Sequence, residues 1–103
     1  MSQVRLYLDD VLTAAEANMV NREDDDHLAT ASALGRTLFT HNTADYCVLH
    51  QHWIHLERTH SGIIVGPQQR YSVGEEMRRI MTLVSKRTAE EMRCRLEFIS
   101  SWA

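Results

Sequence analysis

The stretch Gly35-Arg36-Thr37-Leu38-Phe39-Thr40-His41-Asn42-Thr43-Ala44-Asp45-Tyr46 leaves this chain little choice of fold. Gly35 is a helix stop, because a residue without Cβ enters the left-handed conformation at no steric cost. The β-branched and aromatic residues 37–40 suit a strand, and the polar turn after them presents Asn42 and Asp45 just past its carboxyl end. In open parallel α/β sheets that edge is where ligands bind. Two more acidic spots, Asp9-Asp10 and Asp24, are placed on the same edge, and convergence of all three would make a divalent-metal site.

With 103 residues the chain is one domain, 1–103, able to bury a modest core. No apolar run approaches the roughly 20 residues of a membrane span, and Met1-Ser2-Gln3-Val4-Arg5 lacks the apolar core of a signal peptide. The expected location is therefore the cytoplasm, with no membrane partner and with Cys47 and Cys94 as free thiols. Net charge is −3 but unevenly spread, about −5 over residues 1–51 and +2 over residues 52–103. An acidic half that holds a cation and an arginine-rich half suit a phosphate-bearing substrate; solvated helix faces with mixed ion pairs account for the same pattern.

Val4-Arg5-Leu6-Tyr7-Leu8 alternates as a strand that ends at Asp9-Asp10. Residues 11–17 fit a strand continuation, a short helix or an irregular crossover, and Asn18–Arg22 reads as a polar connector. Glu23-Asp24-Asp25-Asp26 opens a helix whose buried stripe is Leu28, Ala31 and Leu34. Asp24 precedes Leu28 by four residues and so shares its core-facing side, whereas Asp25 and Asp26 turn outward. Ala44–Arg58 has helical composition, with Tyr46, Leu49, Trp53 and Leu56 three or four apart. The glycine-bounded Ile63-Ile64-Val65 is a buried parallel strand. Ser72-Val73-Gly74-Glu75 and Thr88-Ala89-Glu90-Glu91 are capping boxes. They open a helix with Val73, Met77, Ile80, Met81 and Val84 on one face, and a last helix striped by Met92, Leu96 and Ile99. Met77, Met81 and Met92 read as core filler.

Asp9 or Asp10, Asp24 and Asp45 form the main chemical constellation. Hard cations such as Mg²⁺ or Mn²⁺ take carboxylates, waters and substrate phosphate, and activate a water against a phosphodiester. Asn42 would add a neutral oxygen and Thr40 a hydroxyl; the alternative is that these acids are ordinary caps. Among the histidines, His52 and His55 lie three apart and suit Zn²⁺, but His50 falls off that face and nothing completes the set with His60. No nucleophile elbow or glycine-rich phosphate loop is present. Arg70 and Arg78 are candidates to steer a phosphate backbone; Arg79 reads as a solvated-face residue.

These stretches, in this order, resemble the PIN-like family of small bacterial proteins related to VapC-type toxins. The likeness is carried by Leu8-Asp9-Asp10; by Arg22 to Ala29 followed by Ala31; by Gly35 to Thr40 with Asn42 and Asp45-Tyr46; and by Ser61 to Val65. It implies a three-layer α/β sandwich with a short parallel sheet, strands near 4–8, 37–40 and 62–65, flanked by helices. It further implies a metal-dependent endoribonuclease using Mg²⁺ or Mn²⁺, with Asp9, Asp24 and Asp45 as catalytic metal ligands and Asn42 in support. Thr40, Arg70 and Arg78 would face the substrate. RNA and a protein antitoxin are the partners that the family implies. Asn42 stands where many relatives have Asp, and Asp10 runs directly into Val11-Leu12-Thr13 where relatives place a helix. Loss of that helix would uncover one sheet face, which pairing into a homodimer would cover, and it raises the alternative of a non-catalytic interaction module.

Overall fold

A computed structural model describes residues 2–8 and 20–102, the side chains of residues 20–23 excepted. Strands β1 (Leu6–Leu8), β2 (Thr37–Thr40), β3 (Ile63–Val65) and β4 (Leu96–Phe98) form one sheet in the order β1-β2-β3-β4, with every neighbouring pair parallel. Helix α1 (Val20–Ala33) leads into β2, α2 (Thr43–His55) into β3, and α3 (Val73–Lys86) with the short α4 (Ala89–Met92) into β4. The alternation of a strand decides the layering, because successive side chains leave opposite faces. Leu38, Ile63 and Val65 pack with Leu28, Ala31, Tyr46 and Trp53 of α1 and α2, while Phe39 and Ile64 pack with Ile80, Leu83, Met92 and Ile99. The result is helices, sheet, helices: the expected α/β sandwich.

Local chemistry explains the element ends. Gly35, at φ 68°, closes α1 in a Schellman arrangement: Arg36 N–H donates to Ala31 O at 2.9 Å and Gly35 N–H to Ser32 O at 3.1 Å. Ser72 accepts from Glu75 N–H at the start of α3, but the Glu75 carboxylate turns to Arg78 and Arg79 rather than back to the cap. Those hydrogen bonds, Arg78's first and then Arg79's, hold the Glu75 carboxyl below its usual range. At α4 the reciprocal box is complete, with Thr88 and Glu91 satisfying each other's backbone.

Four readings of the sequence are corrected. The predicted last helix stops at Met92, and Leu96–Phe98 is a strand: Cys94 takes φ 59°, and Ile63 N–H reaches Arg95 O at 2.9 Å, so the free edge of β3 captures the segment. Residues 20–22, expected in a connector, already belong to α1, so the acidic run lies inside the helix. Leu34 is half exposed because it falls in the turn after α1 ends at Ala33. Met92 is buried, but Met77 and Met81 are 50% and 58% exposed. The strands beneath α3 are three or four residues long, so Ile80 and Leu83 suffice to cover them and the flanking Val73-Met77-Met81 line stays outside. The routing of residues 9–17, and with it the expected loss of a helix there, lies outside the described residues. Among those described, no helix is long and apolar enough to cross a membrane.

Candidate functional site at the carboxyl edge of the sheet

Asn42 follows β2 and is the N-cap of α2, where an Asn side chain ordinarily accepts a backbone N–H from the first turn. Here it makes no such bond. Its amide nitrogen donates instead to Asp24 Oδ2 at 3.3 Å and to Asp45 Oδ2 at 3.0 Å. One –NH₂ group thus spans two carboxylates brought from separate helices. Asp45 sits in the first turn of α2, where the helix dipole favours a carboxylate. Asp24 is only 5% exposed, on the core side of α1 as its spacing from Leu28 requires, while Asp26 is exposed.

Three contacts dock the acidic turn of α1 onto its neighbours. Tyr46 O–H donates to Asp24 O at 3.5 Å, and Trp53 Nε1–H donates to Asp25 Oδ1 at 2.8 Å. The Arg58 guanidinium stacks 3.7 Å from the Trp53 ring centroid and lies 3.6 Å from Asp25 Oδ1. On the other side of α1, the Tyr7 hydroxyl and His27 Nδ1 are 2.8 Å apart and tie the helix to β1. Thr40 is buried, and its Oγ1 accepts the Asn42 backbone N–H at 3.0 Å, so it fixes Asn42.

Asp24 and Asp45 open onto a depression of about 250 Å³ whose remaining lining is Val48, Leu49 and His52. Asp45, Val48, Leu49 and His52 recur at helical spacing, so the face of α2 bearing Asp45 carries His52, in place of the expected His52–His55 pairing. On the opposite sheet face the same edge carries a second pair, His41 Nε2 and Glu76 Oε1 at 2.6 Å, which joins the end of β2 to α3. Of the expected substrate arginines, Arg70 is exposed in the turn after β3, 5.9 Å from the Tyr71 ring centroid. Arg78 is exposed and clamped on Glu75 at 2.6 Å. Arg79 is more than a solvated residue: Nη1 donates to the carbonyls of Ile99, Ser100 and Trp102, and the guanidinium stacks on Tyr71. Asp9 and Asp10 lie outside the described residues.

The site's donors suit a hard divalent cation in part. Two carboxylates within reach of one point, completed by waters, match the common Mg²⁺ pattern. Asn42 contributes its nitrogen to this arrangement rather than its oxygen, and no group of three or more His, Cys, Asp or Glu among the described residues is placed to hold a metal. Comparison with protein-family models, curated proteins and solved structures gives no match.

The histidines are arranged differently from the expected His52–His55 face. His60, only 2% exposed, accepts the Gly62 N–H on Nδ1 at 3.0 Å and meets His50 Nδ1 with Nε2 at 2.8 Å. Because Nδ1 of His60 is an acceptor, its proton is on Nε2 and is donated to His50. Burial, and then the proximity of His50, push the His60 pKa down to about 4, and burial lowers that of His50. The pair is a neutral clasp between α2 and the entry to β3.

Proposed function

We propose that this chain is a metal-dependent endoribonuclease of PIN-like type, acting in the cytoplasm as the toxin of a toxin–antitoxin pair. The observation that carries the reading is the diverted cap: Asn42 forgoes a bond worth about 1 kcal/mol to helix stability and spends its amide between Asp24 and Asp45. Departures from a local rule of this sort gather at functional sites, and this one lies at the ligand-binding edge of a parallel sheet. Asp24 and Asp45 would hold Mg²⁺ or Mn²⁺, joined by Asp9 where the resemblance puts the first acid. When bound, the cation supplies an activated water and neutralises charge on the phosphodiester. Thr40 holds Asn42, and Asn42 holds the two carboxylates in register. Arg70, less engaged than Arg78, reaches for the RNA backbone from the turn after β3.

The Asn42 geometry also favours a second reading, a non-catalytic interaction module of the same fold. An amide that donates to both carboxylates eases their repulsion without any cation. Titration calorimetry with Mn²⁺ separates the two, with Asp45→Asn as control. Saturable binding that the substitution removes, together with Mn²⁺-dependent cleavage of RNA, supports the nuclease; a folded protein that binds no Mn²⁺ supports the module.

A further inference from the structure

The arginines of this chain are nearly all committed. Of the nine whose side chains are described, Arg36 donates to Leu6 O, Arg58 stacks on Trp53, and Arg70 and Arg79 face Tyr71. Arg78 pairs with Glu75, and Arg87 and Arg95 with Glu97. Only Arg5 and Arg93 engage no carboxylate, carbonyl or aromatic ring of a described residue. Both line the same hollow, at the amino edge of the sheet, opposite the acidic site.

That hollow has a volume of about 290 Å³, and Ser2, Gly35, Ser61 and Glu90 complete its polar rim. Its one carboxylate is occupied: Glu90 Oε1 accepts the Ser2 backbone N–H at 2.9 Å, which holds the Glu90 carboxyl below its usual range. Two arginines therefore line the hollow against one carboxylate already in use. An Arg fork matches the oxygen geometry of a phosphate, and the hydroxyl oxygens of Ser2 and Ser61, whose hydrogens go to Glu90 and to Ser32 O, are left to accept from a ligand hydroxyl. The volume lies near the lower end, about 300 Å³, of small-molecule sites.

We propose that this amino-edge hollow is a binding site for a small phosphate monoester, its phosphate gripped by Arg5 and Arg93 and its hydroxyl-bearing remainder met by Ser2 and Ser61. The site is independent of the acidic edge.

The experiment is an NMR titration of the amide and guanidinium signals with ribose 5-phosphate and with inorganic phosphate, at constant ionic strength set with chloride. Saturable shifts centred on Arg5, Gly35, Ser61 and Arg93 are expected, with ribose 5-phosphate the tighter ligand and affinity at least tenfold weaker in Arg5→Gln/Arg93→Gln. Both side chains are exposed, so the variant should keep the wild-type melting temperature. Glu90→Gln should tighten binding severalfold by removing the competing charge. Linear, chloride-like shifts, or unchanged affinity in the double variant, overturn the proposal. Equal binding of the two probes overturns the sugar-phosphate assignment and leaves an inorganic phosphate site.

Discussion

Acid should loosen this protein through His60, and the size of the effect follows from how far burial lowers its pKa. The folded pKa is about 4, against 6.5 for an ordinary histidine. The folded state therefore binds fewer protons than the unfolded chain between those values, and stability must fall as pH drops through that window. It is fully present above pH 6.5. The loss between pH 7.5 and 4.5 is about 2.5 kcal/mol from this residue, at about 1.4 kcal/mol per pKa unit. The structural cause is first the burial of the ring, which penalises its charged form, and then the nearby His50; a proton on Nδ1 would also displace the Gly62 N–H. Urea unfolding followed by tryptophan fluorescence at stepped pH measures the slope. His60→Asn places an oxygen where Nδ1 stood, keeps an acceptor for Gly62 and cannot titrate. That variant is less stable at neutral pH but should lose about 2.5 kcal/mol less than wild type on acidification. Exposed carboxylates titrate alike in both proteins and cancel. Parallel pH profiles, within about 0.5 kcal/mol, would refute the clasp as the source of the pH dependence.

Three further outcomes follow from single contacts. Gly62→Ala should abolish folding or cost more than about 3 kcal/mol, since φ is 107° and a Cβ there would lie 2.7 Å from Met92 O; denaturant unfolding reads it directly. Asn42→Asp replaces the donor between two carboxylates by a third carboxylate. The variant should melt lower than wild type without divalent ions and regain stability in millimolar Mn²⁺, whereas a melting point indifferent to Mn²⁺ would count against a cation site at this edge. Thr88→Ala breaks a complete capping box and should cost about 1 kcal/mol, seen as a shift in urea midpoint at unchanged slope.

Much of the candidate site could be read from the chain because its logic is local. Asp24 faces the core because it precedes Leu28 by one helical turn, and Asp45 flanks the strand end because Asn42-Thr43-Ala44 is too short to put it elsewhere. His52 is readable from Asp45, seven residues on along α2, although its neighbours His50 and His55 give the local sequence the look of a histidine cluster. The His50–His60 clasp left no such trace: ten residues and a turn with Glu57 at φ 59° separate the partners, and no periodicity links them.

Local chemistry sufficed for the Schellman stop at Gly35, the strands at Leu6–Leu8, Thr37–Thr40 and Ile63–Val65, and the helices between them. Residues 96–98 owe their strand to long-range pairing instead. Met92, Leu96 and Ile99 fit a helical stripe as well as anything in the chain, but the β3 edge offers unpaired backbone groups, and satisfying them outweighs one more helical turn. The same holds for Asn42. Its type predicts a helix cap, and only the approach of α1 to α2 places Asp24 beside it, because a long-range pair of carboxylates competes for a donor that the helix alone would have kept.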